Sequence, residues 1–393
     1  MKNKILLTII SFFSYFITGG LIVTTGMILG KIAKYFDLST TNMSSTFTFL
    51  NAGLLISIFL NAWIIEFISI KKQLISGFLL MLFAIIGLIK SSNLIIFSGS
   101  IFIFGLVSGI TMSIGTFLIT ILYKGNQRIK FLLLTDSFFS MSGMIFPFIA
   151  TKIFDYHLTW YWIYILIFSV YIIIFFLTIN AKFPIPTKRI NLKKIKIKKN
   201  FIIGNMLLSI MALLYILGQL SFISWIPEYA TQLLKLNIKE AGKLVSFFWM
   251  SYMIGMWFFS LILKFFDLQK ILVLLTGTSS FIMYLFIGAN NLKLLSITII
   301  SLGFFSSAIY TVIITLSSLQ TKNPSPKQIS FVLTSGTVGT LLTFIVTKPI
   351  IIKKGLIFAL ITANFLYTIV FCLSITFGFF TNHRKNIIHN HNL

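Results

Sequence analysis

Twelve apolar runs constrain this chain more than any other feature. They lie near 5–30, 45–66, 74–90, 94–123, 131–152 and 159–181, then 201–227, 244–263, 271–288, 294–319, 328–347 and 355–380. The hydrocarbon core of a bilayer, about 30 Å thick, takes about 20 helical residues to cross, and these runs cluster around that length. Inside hydrocarbon every backbone N–H and C=O must be satisfied within the segment, so each run reads as a helix. Apolar residues make up 57% of the 393 and charged residues 10%, against roughly a quarter charged in a soluble chain. The fold class that follows is an all-α polytopic membrane protein with twelve transmembrane helices.

An even number of spans puts both termini and the middle of the chain on one side. The middle is Lys182 to Asn200, which carries eight basic residues and no acid and opens with Pro184 and Pro186. Of the 32 basic residues, 21 fall on the side of this linker and the termini, and 11 on the other. The excess of Lys and Arg in cytoplasmic loops makes the termini and linker cytoplasmic, an orientation that rests largely on the linker itself. Four regions result: a six-helix half over 1–181, a basic cytoplasmic linker over 182–200, a second six-helix half over 201–380 and a cytoplasmic tail over 381–393. The apolar run that follows Met1-Lys-Asn-Lys4 is too long for a signal peptide's core and no A-x-A site follows it, so it is expected to be an uncleaved first span.

The halves repeat weakly at an offset near 198. Glu66-Phe67 ends span 2 as Lys264-Phe265 ends span 8, and Gly105 and Ser108 in span 4 fall on Gly303 and Ser306 in span 10. Leu134-Thr135 lies one step from Leu333-Thr334, and spans 5 and 11 end in Thr151-Lys152 and Thr347-Lys348. Two pseudo-symmetric six-helix halves are the layout of many secondary transporters, which bind substrate at the interface of the repeats.

The net charge of +25 does not mark a nucleic-acid binder, because the basic residues sit in short loops and the linker rather than on a basic helix interleaved with aromatics. Lysines number 29 and arginines 3, a bias that fits an AT-rich genome. One cysteine, Cys372, excludes an intrachain disulfide. His389-Asn-His391 reads as a polar tail rather than a metal pair, and no metal or cofactor is expected. Trp160, Tyr161, Trp162 and Tyr164 at the start of span 6, and Trp225 near the end of span 7, read as an interfacial aromatic belt.

Of seven acids, Asp136 alone lies inside a span. Six residues past Lys130 it sits roughly 9 Å in, a depth at which a carboxylate must face the bundle interior or water. It shares a small polar face with Ser140, Gly143 and Pro147 at helical steps. Its roles divide evenly between a protonation or substrate site and a structural carboxylate, bonded to a neighbouring helix or snorkelling to the nearby cytoplasm. Span 1 aligns Ser11, Tyr15, Thr18, Ile22 and Thr25. Span 2 holds Asn51 and Asn61, span 7 Asn205, Ser209, Tyr215 and Gln219, span 8 Trp249 and Tyr252, and span 10 Ser307 and Tyr310. Buried amides such as Asn51 and Gln219 need hydrogen-bond partners. Taken singly these residues suit interhelical bonding better than ligand contact. Together, Asp136, Asn51, Gln219, Tyr15, Tyr215, Tyr252 and Tyr310 form the candidate lining of a transport cavity.

No Lys or Arg lies well inside a run, so a carrier of phosphate esters or carboxylates would lack its fixed cation. A small neutral polar solute fits better, and an organic cation near Asp136 competes with it. The chain has no P-loop and no nucleophile–base pair, so it does not read as an enzyme or an ATP-driven pump. The expected function is secondary active transport by alternating access, with protons as a candidate coupling ion and a monomer in the bilayer. Organic-cation efflux and a non-transporting scaffold or sensor are the alternatives.

Two halves joined by a basic loop resemble the major facilitator superfamily. Its loop 2–3 pattern, G-x-x-x-D-[RK]-x-G-[RK]-[RK], meets Ala62-Trp-Ile-Ile-Glu66-Phe-Ile-Ser69-Ile-Lys71-Lys72, which keeps the acid and the last basic pair. Ala62 and Ser69 replace the glycines and Phe67 the first base. Longer stretches, over 45–53, 107–116, 135–140, 215–220, 252–257 and 303–311, are similar to members near the fucose-permease group. This resemblance implies a carrier of the bacterial inner membrane. In fucose permeases acids of spans 1 and 4 take part in proton and sugar binding. Runs 5–30 and 94–123 contain none here, so Asp136 would have to serve by a different geometry.

Overall fold

The computed structural model describes residues 2–38, 43, 46–91, 93–184, 199–236, 238–321 and 325–390; most of the basic linker and the end of the tail lie outside them. The helices are α1 (Lys2–Tyr35), α2 (Thr48–Phe67), α3 (Ile70–Ile89), α4 (Leu94–Leu122), α5 (Asn126–Asp155), α6 (Trp162–Asn180), α7 (Lys199–Glu228), α8 (Ile238–Ile262), α9 (Leu268–Ile287), α10 (Leu292–Ser306), α11 (Ile309–Leu319), α12 (Pro326–Lys354) and α13 (Ile357–Asn390). Twelve segments are long and apolar enough to cross a membrane, α10 and α11 together making the tenth, and no strand occurs among the described residues. Polar caps start several of them. Asn93 accepts from the Ile95 N–H at 2.8 Å, Asn291 from Leu294 at 2.8 Å and Asp267 from Gln269 at 2.8 Å, so each satisfies a donor the first turn leaves open. Gly355, at φ +96°, turns the chain between α12 and α13 in a conformation only glycine adopts freely.

The same packing scheme serves both halves. Span 4 packs on spans 1, 2 and 3, and span 6 on spans 1 and 3; span 10 packs on spans 7, 8 and 9, and span 12 on spans 7 and 9. The correspondence reaches single residues. A methyl at Gly105 would meet the Leu50 carbonyl, and one at Gly303 the Phe248 carbonyl, so both pairs of helices touch backbone to backbone at positions 198 apart. One turn along, Gly109 makes room for the Ser57 hydroxyl on α2. At the matching positions the roles are exchanged: Gly255 on α8 makes room for Ser307. Small residues let transmembrane backbones approach where no hydrophobic force drives them together.

The chain separates into two compact units. The first holds α1–α4, α5 from Leu134 onward, α6 and the start of α12 up to Thr334. The second holds the start of α5 up to Leu133, α7–α11, α12 from Ser335 and α13. Each unit therefore takes in the first turns of a helix that continues in the other. In the first unit Lys327 Nζ lies 3.0 Å from Glu66 Oε1, and the Ser330 and Ser113 hydroxyls are 3.1 Å apart. In the second, Arg128 Nη1 donates to the Ser318 carbonyl at 3.0 Å and its hydroxyl at 3.1 Å, and Asn126 Nδ2 donates to the Lys264 carbonyl at 2.5 Å.

Three expectations change. Arg128, which falls between runs 94–123 and 131–152 and so among the loop residues, is buried in the first turn of α5. Trp160 and Tyr164 do not form an interfacial belt: both are buried, Trp160 edge-on to Phe97 at 5.6 Å and to Tyr35 at 5.7 Å, because α6 starts only at Trp162 and the preceding turn folds inward. Trp162 is exposed, while Trp225 donates to Thr347 Oγ1 at 2.9 Å. The tenth span is not continuous. It breaks at Ser307-Ala308, where the Ser306 and Ser307 hydroxyls bond back to the Leu302 and Phe304 carbonyls at 2.6 and 2.7 Å, the kind of local bond that bends a helix.

Candidate functional site

In the first unit, α1, α4 and α5 bring Tyr15, Thr116 and Asp136 together. Thr116 donates its proton to the Met112 carbonyl at 3.0 Å, which leaves its oxygen to accept from Tyr15 Oη at 2.6 Å. Asp136 is half-buried and close enough to Tyr15 to act on it electrostatically. Because α5 starts at Asn126, Asp136 lies ten residues along it, about 15 Å from the helix start rather than the 9 Å expected from Lys130. Ser140, one turn on, is buried with a hydroxyl that makes no hydrogen bond among the described residues. Gly143 faces Val23 of α1. The side chains of Pro147 and Thr25 lie outside those described.

Other polar residues of the first span serve the fold. Ser11 donates to Leu7 O at 2.9 Å, and Thr18 donates to Ser14 O at 2.9 Å and reaches Ser108 O at 3.4 Å. Asn51, half-buried on α2, keeps an Oδ1 that accepts nothing among the described residues, as does the buried Asn61.

In the second unit the break in the tenth span is the centre. The Ser306 carbonyl accepts from Tyr215 Oη at 2.7 Å, and the Tyr252 hydroxyl lies 3.4 Å from the Tyr215 one. Gln219 sits one turn from Tyr215 on α7, buried, with an Nε2 that has no acceptor among the described residues. Tyr252 also lies against Phe248 and Trp249, ring centroids 5.5 and 5.7 Å away. Tyr310, in the first turn beyond the break, seats its hydroxyl over Gly336 of α12. Discontinuous helices with freed backbone groups commonly mark binding sites in transporters.

Of the seven residues singled out in the sequence, the structure brings Tyr15 and Asp136 together in one unit and Tyr215, Tyr252 and Gln219 together in the other. Asn51 stands apart on α2, and Tyr310 lies on α11 with its hydroxyl over Gly336 of α12. The break beside Tyr215 was missed, because adjacent serines such as Ser306 and Ser307 also occur in continuous transmembrane helices. Arg128 was missed as a buried group; an arginine in a chain this rich in lysine was the available hint. Among the described residues no three His, Cys, Asp or Glu side chains stand close enough to hold a metal, and the His389–His391 pair falls outside the described side chains.

Comparison with known proteins places these features in a wider setting. The family model described as Major Facilitator Superfamily matches residues 7–343. A protein named TsgA homolog from Buchnera aphidicola subsp. Schizaphis graminum (strain Sg) is 60% identical over 372 residues, 95% of this chain and 96% of that one. A TsgA homolog from Yersinia pseudotuberculosis serotype O:1b (strain IP 31758) is 56% identical over 386 residues, 98% of each. Among solved structures, the E. coli fucose:proton symporter FucP superposes with a TM-score of 0.75 at 15% identity, over 96% of this chain and 98% of that one.

Proposed function

The chain belongs to the Major Facilitator Superfamily of membrane transporters, and from that premise we propose that it moves a small neutral polar solute by alternating access, coupled to protons through Asp136. The observation that carries this reading is the meeting of Asp136 with the Tyr15–Thr116 hydroxyl pair at the junction of three helices. A carboxyl group there can hold or lose a proton without a permanent charge in the membrane interior, and charged groups at such depth are costly unless they work. A neutral solute is favoured by the polar atoms left open in the two units. Asn51 Oδ1 accepts, Gln219 Nε2 donates and Ser140 Oγ can do either, and none of them carries charge. The fold shared with a fucose:proton symporter supports the same class of chemistry. Bacterial relatives and the basic linker support an inner-membrane location with both termini in the cytoplasm.

The test has two steps. Thermal unfolding in mild detergent against sugars, nucleosides, amino acids and lipophilic cations, at acidic and neutral pH, identifies the ligand class. A ligand at 100 times its Kd adds about 2.7 kcal/mol. Uptake into proteoliposomes under a proton gradient then compares wild type with Asp136→Asn. Loss of gradient-driven uptake, with substrate exchange and membrane insertion retained, is the expected result; unchanged coupling overturns the role of Asp136.

A further inference from the structure

Tyr15 lies buried in the first unit, and the chemistry of its neighbours fixes the direction of its hydrogen bond. Thr116 Oγ1 is 2.6 Å from Tyr15 Oη and 3.0 Å from the Met112 carbonyl. A carbonyl only accepts, so the threonine proton goes to Met112 and the tyrosine proton to Thr116. No other placement of the two protons keeps both contacts. Tyr15 Oη is left with lone pairs to offer and no proton to give.

The packing of α5 on α1 brings Asp136 to the same level. The two helices run side by side in one direction: Phe12 stacks on Phe138 at 4.6 Å, Gly19 meets the Phe139 carbonyl and Gly143 faces Val23. In that register Asp136 lies within about one turn of Tyr15 along the axis. Few charges stand around the pair. Between Lys4 and Lys31, α1 has no ionisable side chain but Tyr15, and α4 has none from Leu94 to Leu122. The start of α12, which reaches Ser113 about one turn from Thr116, brings Lys327, already paired with Glu66. On α5 itself Lys130 and Arg128 lie about two turns back.

We propose that Thr116 is a positioning residue for proton coupling: by taking the Tyr15 proton it makes Tyr15 Oη an acceptor that only the protonated carboxyl of Asp136 can bond. This role rests on Asp136 being the proton carrier. With its proton, Asp136 donates its O–H to Tyr15 Oη and ties α5 to α1 and α4. When that proton leaves to water, carboxylate and phenol oxygen face each other with lone pairs alone, and the tie is lost. Without the Thr116 oxygen, Tyr15 turns its proton to the carboxylate and bonds Asp136 in either state. The contact between α1 and α5 then no longer follows the proton.

The test needs no transported solute, because the proton itself is the ligand. Full-length protein carrying Cys372→Ser is placed in bilayers with spin labels at Lys34→Cys and Lys152→Cys, exposed positions near the C-terminal ends of α1 and α5. The distance between the labels is read at acidic and at neutral pH. With Asp136, Tyr15 and Thr116 intact, the expected result is a short, narrow distribution at acidic pH that lengthens or broadens at neutral pH. Thr116→Val, which keeps the shape and removes the acceptor, should abolish that response, and Thr116→Ser should restore it. Asp136→Asn should also abolish it. No pH response in the intact site overturns the proposal, as does a response that survives Thr116→Val. Loss in Thr116→Ser as well as Thr116→Val makes Thr116 a packing residue and overturns it too. A response that survives Asp136→Asn removes Asp136 as the proton carrier, whereas one lost in Asp136→Asn but kept in Thr116→Val removes Thr116 alone.

Discussion

Tyr15 and Gln219 show how far residue type alone informs and where it stops. A tyrosine inside an apolar run was legible as something that must be bonded, and the structure gives it Thr116. Whether an amide is bonded or left open depends on what packs beside it, and no local pattern around Gln219 reveals that its Nε2 lacks an acceptor. A buried donor without a partner costs about 1–3 kcal/mol. If Gln219 is kept for a ligand, Gln219→Leu should raise the unfolding free energy by about 1 kcal/mol, because the orphaned donor goes. Uptake should fall at the same time. Higher thermal stability with undiminished uptake would make the amide dispensable. For Tyr15→Phe, loss of the bond to Thr116 should cost about 0.6 kcal/mol, a typical value between transmembrane helices, read from the shift in the unfolding midpoint.

At the scale of helices, the glycines tell more than the polar residues. The run lengths alone were enough to place twelve spans, and Gly105 and Gly303 at a common offset already hinted at a repeat. Two matching backbone contacts, of Gly105 on Leu50 and Gly303 on Phe248, give that hint a physical cause. The break in the tenth span was not legible from apolarity, since serines are tolerated in continuous transmembrane helices as well. It takes the back-bonded Ser306 and Ser307 with Tyr215 on the freed carbonyl to open the helix there. Replacing Gly105 or Gly303 with Ala should each destabilise by about 1–3 kcal/mol through overpacking. Gly99→Ala, where a methyl meets nothing within 4 Å, should be neutral or gain up to about 1 kcal/mol from helix propensity. The exchanged pair offers a stricter check. Gly255→Ser alone drives a hydroxyl against Ser307, whereas Gly255→Ser with Ser307→Gly recreates the arrangement of Ser57 and Gly109. The double variant should unfold later than the single one, and equal midpoints would mean the two contacts are not equivalent.

Across the whole molecule, the halves seen in sequence and the compact units seen in space differ by two short segments, the starts of α5 and α12. Sequence periodicity could not show this, because a helix start that joins another body has the same composition as one that does not. What holds each segment is polar: a buried arginine on the carbonyl and hydroxyl of Ser318 in one unit, a lysine on Glu66 in the other. Both partners of the Lys327–Glu66 pair are more than a third exposed, so its strength is that of a surface ion pair, about 0–1 kcal/mol. So weak a contact can be broken and remade without unfolding the protein. Lys327→Glu should therefore leave the unfolding midpoint nearly unchanged while making the start of α12 more accessible to protease, since two like charges then face each other. Adding Glu66→Lys restores opposite charges in reversed order and should return protection toward wild type. If the double variant stays as accessible as Lys327→Glu alone, the segment is held by Ser330 on Ser113 and by packing rather than by charge.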